Sequence, residues 1–164
     1  TLSLHDALPI SFATASKAGT VKDILHRLNG NIVLLQGNHD STELWERIIG
    51  MDGDTFGDYY ENSSARVRFL KSPYLEVSYK REGAKEKTKL ILCHYPIASW
   101  NFSNYGSIHL HGHMHGSYSA EGRILDVGLD SGWELYKKLT PFSVEEILKI
   151  MAKKPALLRH GANR

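Results

Sequence analysis

Three short polar clusters, each placed directly after a run of branched aliphatic residues, constrain this chain more than any other feature. Gly37-Asn38-His39-Asp40 follows Ile32-Val33-Leu34-Leu35, His94 follows Leu90-Ile91-Leu92-Cys93, and Gly112-His113-Met114-His115 follows Ile108-His109-Leu110-His111. Runs this short and this apolar read as buried strands. A polar cluster just past the C-terminal end of such a strand sits where open α/β sheets build their sites. The strand fixes the origin of the side chain and the loop is free to aim it. One Asn and several His delivered to one sheet edge have the donor chemistry of a transition-metal site.

The rest of the chain supplies a frame for those clusters. Val21, Ile24, Leu25 and Leu28 recur at helical spacing, which predicts a helix over residues 16–28 with Gly30 as its stop. A second helix is expected over 42–49, with Ser41 as N-cap and Glu43 in the first turn. Residues 50–64 are rich in Gly, Asp and Tyr and read as a loop. Residues 66–69 and 74–79 alternate around Lys71-Ser72-Pro73, which suggests a hairpin. A charged turn over 82–87 precedes strands expected at 88–93, 107–111 and 123–127. A last helix over 143–153 opens on a capping box, Ser143 and Glu146, and carries apolar Val144, Ile147, Leu148 and Met151. The pattern is that of an α/β domain whose second half is mostly sheet.

Composition bounds the function classes. A chain of 164 residues is enough for one domain, burying roughly 70% of its unfolded surface. No apolar stretch approaches the ~20 residues that span a bilayer, and no charged segment leads into an apolar one as in a signal peptide. A membrane partner is therefore not expected. The single cysteine, Cys93, cannot form an internal disulfide and alternates with apolar residues, so it reads as a buried small hydrophobe in a reducing, cytoplasmic setting. Charge is uneven: residues 149–164 hold five Lys or Arg and no acid, leaving fifteen basic residues against eighteen acids upstream. That basic tail, residues 155–164 past the helix, is either a solvated terminus with Pro155 as the stop or a contact for nucleic acid.

The order G-N-H-D, then a lone His, then G-H-x-H resembles the calcineurin-like metallophosphoesterase family, over residues 12–150 or so. The resemblance implies that family's sandwich, two β-sheets flanked by helices. It also implies a metal-dependent phosphoester hydrolase, either a phosphomonoesterase or a phosphodiesterase, acting on a small molecule or nucleotide. Two divalent ions, drawn from Mn, Fe, Ni, Zn or Co, would serve the reaction. Carried over from the resemblance, one metal would meet Asn38, His94, His113 and a bridging Asp. The other would meet the D-x-H pair, the same Asp and His115. His39 would stand near the leaving-group oxygen, with Asp40 orienting it. Asp40 also reads as an acid at the N-terminus of the following helix.

The family pattern begins with D-x-H and G-D, and neither is found here. The bridging Asp would fall just before Phe12, where this chain has Ile10-Ser11. The sandwich is accordingly expected to lack its first strands. Residues 1–10 resemble translated adapter sequence joined to a shortened reading frame, which would make 1–11 a non-native leader and 12–154 a partial domain. The alternative, His5 and Asp6 replacing the lost ligands, places adjacent residues on opposite faces of a strand. A polypeptide with half a site is expected to hydrolyse phosphoesters far more slowly than one with an upstream half-domain. A second reading from another class is a non-catalytic mononuclear metal- or phosphate-binding domain.

Other residues are open to two readings. Positions 109, 111, 113 and 115 alternate, so all four imidazoles share a face if the strand continues. If the chain turns at Gly112, only His113 and His115 reach metals, and His109 and His111 are core or supporting residues. Tyr95, Trp100, Phe102 and Tyr105 either line a substrate entrance or pack in the core. The spacing between the first two motifs leaves no room for a large cap, which suggests an open cleft. The stretch Asp126-Val127-Gly128-Leu129-Asp130 reads as a strand-end turn with no chemistry assigned.

Overall fold

The computed structural model of the chain describes residues 15–137 and 139–157. The expected leader at 1–11 and the tail beyond residue 157 lie outside them. The described residues form a mixed α/β structure with four α-helices and two sheets, compatible with an α/β sandwich. Among them, no helix is long and apolar enough to cross a membrane.

The first half builds sheet one. Helix α1, Ala18–Arg27, follows a single 3-10 turn and buries Val21 and Leu25. Its end is fixed by Arg66, whose guanidinium donates to the carbonyls of Leu25 at 3.0 Å, Leu28 at 2.8 Å and Gly30 at 3.2 Å. These acceptors belong to the end of the helix and the turn beyond it, where helical partners run out. Gly30 takes φ 89°, the left-handed region that a helix exit favours. Strand β1, Ile32–Leu35, then leads into α2, Thr42–Met51, where Ser41 Oγ accepts from Leu44 N at 3.1 Å. Strands β2, Phe56–Asp58, and β3, Val67–Leu70, complete a parallel sheet in the order β1-β3-β2. One face of that sheet (Ile32, Leu34, Phe56, Val67 and Phe69) packs on Val21, Leu25, Leu44, Trp45 and Ile48 of the two helices.

The second half builds sheet two, in the order β4-β5-β6-β7: Tyr74–Tyr79, Thr88–Cys93, Ile108–His111 and Ile124–Asp126. Strand β4 runs antiparallel to β5, and the other pairings are parallel. Helix α4, Val144–Met151, has the capping box, and its Ile147 and Met151 pack on Leu90, Ile108, Leu110 and Leu125. The opposite face of the sheet carries Ile91, Ile124 and Trp100.

Three expectations need correction. The hairpin over 66–79 does not form: β3 and β4 belong to different sheets, and β4 pairs instead with β5 across the charged turn. Alternation identifies two strands but not their partners, and β3 is held in parallel between β1 and β2. The loop over 50–64 contains β2, a strand that exists through its pairing with β3. The turn after β7 continues into a helix, α3, Leu129–Tyr136, whose buried residues are the small Ser131 and Gly132. A helix buried through small residues lacks the apolar period that announces one.

Candidate metal centre

The candidate ligands do not leave one sheet edge, as their sequence positions suggested. Asn38 follows β1 of sheet one, whereas His94 and His113 follow β5 and β6 of sheet two. The segment that crosses from β3 to β4 brings them together. Gln36 N donates to the carbonyls of Leu70 at 3.2 Å and Ser72 at 3.3 Å, and His94 N donates to the Pro73 carbonyl at 2.8 Å. Gly112 N in turn donates to the His94 carbonyl at 3.3 Å. The loops after β1, β5 and β6 are thus joined through backbone bonds.

At this junction Asn38 Oδ1 lies 2.6 Å from His94 Nε2 and 3.3 Å from His113 Nδ1. The two imidazole centroids are 5.1 Å apart, and the ring of Tyr95 stands 4.8 Å and 4.9 Å from them. Gly37 makes the approach possible: a Cβ there would meet His94 Cε1 at 2.9 Å and His94 Nδ1 at 3.0 Å. Burial lowers the proton affinity of His94, and the neighbouring His113, His39 and His115 lower it further. That favours the neutral imidazole, which is the form that ligates.

These donors suit one ion. A divalent metal bound at ~2.0–2.2 Å holds its ligand atoms roughly 3.0–3.4 Å apart. The His113–Asn38 spacing of 3.3 Å matches, and the His94–Asn38 contact of 2.6 Å would have to open by roughly 0.4–0.8 Å. The trio contains no carboxylate or thiolate, so no anionic ligand comes from it. Among the described residues, no three His, Cys, Asp or Glu side chains gather as a metal site would need. Asn38, His94 and His113 could hold one ion through two imidazoles and an amide oxygen.

His39 is exposed beside this trio, and Asp40 turns back into its own loop. Asp40 Oδ2 accepts from Gly37 N at 2.8 Å, and the Asp40 carbonyl accepts from Gln36 Nε2 at 3.2 Å. The other carboxylate oxygen, Oδ1, is buried with no hydrogen-bond partner among the described residues. Burial raises the proton affinity of Asp40, while the Gly37 N–H and the charge of His39 pull it down. Asp40 thus reaches His39 through charge, and holds the loop through Gly37.

Strand β6 ends at His111, and the chain turns through Gly112. His113 and His115 both take positive φ, 67° and 49°. His109 and His111 share the face opposite Ile108 and Leu110, and both are buried in backbone hydrogen bonds. His109 Nδ1 lies 3.1 Å from the Ile91 carbonyl, and its Nε2 accepts from Ile97 N at 3.0 Å. Burial pushes this imidazole down to about 4. His111 Nδ1 lies 2.9 Å from the Gly112 carbonyl, and its ring stands against Tyr118. Of the aromatic cluster, Trp100 is buried beside His109, whereas Phe102 and Tyr105 are exposed at a 3-10 turn.

His115 stands apart from the trio. Its side chain is 76% exposed, and its Nδ1 is hydrogen-bonded to Asp130. The stretch from Asp126 to Asp130, read above as a turn with no chemistry, thus meets His115. Asp126 is buried, and its two oxygens accept from Gly116 N and Gly128 N, both at 3.0 Å. The sequence signal for this arrangement is two carboxylates flanking a glycine at a strand end, which a turn alone would also produce.

Comparison of the chain with known proteins finds no matching family model, no matching curated protein and no matching solved structure.

Proposed function

We propose that this chain is a metal-dependent phosphoester hydrolase of the dinuclear calcineurin-like type, acting on a phosphomonoester or phosphodiester of a small molecule or nucleotide. The observation that carries the reading is one amide oxygen, Asn38 Oδ1, within hydrogen-bond reach of two imidazole nitrogens from a different sheet. Bound divalent ions supply the chemistry: they polarise phosphoryl oxygens and acidify a water near neutral pH.

The chain's own residues do the remainder. Asn38, His94 and His113 would hold one ion, and His115 would belong to the other. Gly37 leaves room for the half-buried His94 ring, whose lowered proton affinity favours the ligand-competent neutral form. His39, exposed on the same loop, would give a proton to the leaving oxygen. The lone Cys93 is buried, and burial raises its proton affinity, which agrees with an inert thiol in a cytoplasmic protein.

The test is manganese-supplemented hydrolysis of a chromogenic phosphodiester and phosphomonoester by the wild type, Asn38→Ala, His94→Ala and His39→Ala. Loss of turnover by 100-fold or more, on the order expected for removing a ligand or general acid, supports the reading. Equal rates in all four proteins overturn it.

A second reading, a non-catalytic mononuclear metal- or phosphate-binding domain, draws on a trio without carboxylate or thiolate and on the attachment of His115 to Asp130. Binding of one metal equivalent with no turnover would favour it.

A further inference from the structure

We infer that the protein holds a nucleotide in a second cleft, at the end of sheet two away from the candidate metal centre. The cleft has a volume of about 500 Å³ and lies where β5 and β6 begin. Lys87, Lys89, Phe102, Tyr105 and Arg123 line it, together with the last turn of α4. Sites for small ligands run from ~300 to ~1,000 Å³, so one nucleotide fits. His94 follows the far end of β5, five residues past Lys89, which is roughly 16 Å of extended chain. The cleft is therefore a separate site from Asn38, His94 and His113, and the inference does not rest on the metal reading.

One side of the cleft is cationic. Three of its lining residues are basic, and one, Glu86, is acidic. Arg123 is the fixed member: its Nη1 donates to the Gly106 carbonyl at 3.2 Å and its Nε to the Lys154 carbonyl at 3.3 Å. Gly106 makes room for it, since a Cβ there would stand 3.0 Å from Nη1. The half-buried guanidinium thus rests on two carbonyls and pairs with no carboxylate among the described residues. A partly buried charge without a counter-ion is costly, and a guanidinium held in place with Nη2 to spare suits a phosphate oxygen. Lys87 is exposed and also has no carboxylate partner among the described residues. Lys89 is already held by Glu76 at 3.1 Å, and its Nζ stands 4.4 Å from the centroid of the Phe102 ring.

The other side is aromatic. Phe102 takes φ 58°, a left-handed conformation that bulky residues rarely adopt. Its carbonyl is fixed there by Tyr105 N at 2.9 Å and Ser107 N at 3.2 Å. The strain does not bury the ring, which remains 50% exposed. Tyr105 is 69% exposed, and its ring centroid lies 6.0 Å from that of Phe102. Strain kept at an exposed side chain points to a ligand rather than to packing. Exposed aromatic rings beside cations are platforms for bases, because every base has a π-face. A phosphate at Arg123 and Lys87 with a base on Phe102 or Tyr105 uses both sides of the cleft, whereas inorganic phosphate or a sugar phosphate uses only one.

The experiment uses the metal-free full chain, so that no ion draws the nucleotide to the candidate centre. Backbone amide 1H–15N shifts are followed during titration with AMP, adenosine, inorganic phosphate and a short oligoadenylate, in wild type, Lys87→Glu and Phe102→Gly. The expected result is that AMP moves the amides of Lys87, Phe102, Gly106 and Arg123 and leaves those of Gly37 and Gly112 in place. AMP should bind at least about tenfold more tightly than adenosine or phosphate alone, and Phe102→Gly should weaken it by about tenfold, the order of one base–aromatic stack. Lys87→Glu should weaken AMP by about fivefold, as expected of an exposed charge. Lys87 is exposed and glycine relieves the left-handed strain at 102, so neither variant threatens the fold. Oligoadenylate that binds more tightly than AMP, with the same amides moving, identifies a nucleic-acid strand as the source of the nucleotide; equal or weaker binding identifies the free nucleotide. AMP that moves none of the cleft amides overturns the inference. So does inorganic phosphate that binds as tightly as AMP, which would leave an anion cradle only, and so does wild-type AMP affinity in both variants.

Discussion

Replacing Gly37 with alanine is the sharpest test of how this site is built, because the added methyl meets the candidate ligand directly. The ideal Cβ would lie 2.9 Å from His94 Cε1, 3.0 Å from His94 Nδ1 and 3.2 Å from Asp40 Oδ2. Carbon contacts settle near ~3.5–4.0 Å, so the ring or the loop must retreat by roughly 0.5–1 Å. Gly37 is not in the left-handed region, so backbone conformation is not the obstacle. Stiffening the unfolded chain would by itself stabilise the alanine variant by ~0.4–1 kcal/mol. Overpacking costs ~1–3 kcal/mol. The net is a loss of about 1–2 kcal/mol, or roughly 3–6 °C in Tm for a domain of this size.

The effect on metal binding should be larger than the effect on stability. A bound metal tolerates ligand errors of only about 0.2 Å, several-fold less than the displacement required of His94. Cobalt or manganese affinity is expected to fall by roughly 10–100-fold, measured by calorimetric titration on protein shown by circular dichroism to be folded. A Gly37→Ala protein that binds metal as tightly as wild type would refute the reasoning, because His94 would then not be held against that loop. A protein with the expected loss of affinity but unchanged Tm would show that the loop, not the ring, gives way.

Other substitutions test the frame. Arg66→Ala removes the guanidinium that holds the carbonyls of Leu25, Leu28 and Gly30, and should cost about 1–2 kcal/mol in urea unfolding; no change in midpoint would deny it a role at the end of α1. His109→Leu leaves the Ile97 N–H and Ile91 carbonyl without their partner, at about 2–4 kcal/mol for two buried groups. The same histidine predicts a pH slope. Burial holds it down to about 4, below the ~6.5 of an unfolded chain, so the unfolded state takes the proton first as pH falls. Its contribution is complete above pH ~6.5 and is lost on the way down to pH ~4, on the order of 3 kcal/mol in total. Urea midpoints measured across that window should fall with acidification in the wild type and less steeply in His109→Leu; parallel slopes would be the contrary result. Gly128→Ala drives a methyl against the Asp130 and Asp126 carboxylates, and should lower Tm; a wild-type Tm would argue that the 126–130 turn is idle.

The elements that could be read from the sequence are those whose packing is local and periodic. Val21 and Leu25 of α1, and Ile147 and Met151 of α4, lie on one helical face, and that face is the buried one. Ser143 and Glu146 form the capping box that their spacing announces. The apolar runs before the three polar clusters are strands. What could not be read depends on distant partners. Strand β2 is three residues in a Gly- and Asp-rich stretch, and it is a strand because Phe56 and Gly57 pair with Val67 and Arg68. Helix α3 buries Ser131 and Gly132, so no apolar stripe marks it. Among the site residues, Asn38, His94 and His113 were legible as donors, and they lie together. The partner of His115 was not legible: fifteen residues of chain separate it from Asp130, and only the fold of α3 against the G-H-x-H loop joins them.

The hairpin that failed to form also accounts for the position of the candidate centre. A tight turn at Lys71-Ser72-Pro73 would have kept residues 66–79 in one sheet and left the loop after β1 with no neighbour. Proline at 73 has no N–H to give a ladder, and its carbonyl is spent on His94 N instead. The carbonyls of Leu70 and Ser72 are spent on Gln36 N, two residues before Asn38. Leu70 at the end of β3 and the three residues that carry the chain to β4 therefore hold the base of the loops after β1 and β5. Parallel strands on either side, β1 in sheet one with β5 and β6 in sheet two, direct their C-terminal ends to that crossing. Convergence of Asn38 with His94 and His113 is then a consequence of backbone hydrogen bonding at the crossover. Their side chains meet because the loops are joined at the root, and Gly37 removes the one methyl that would keep them apart.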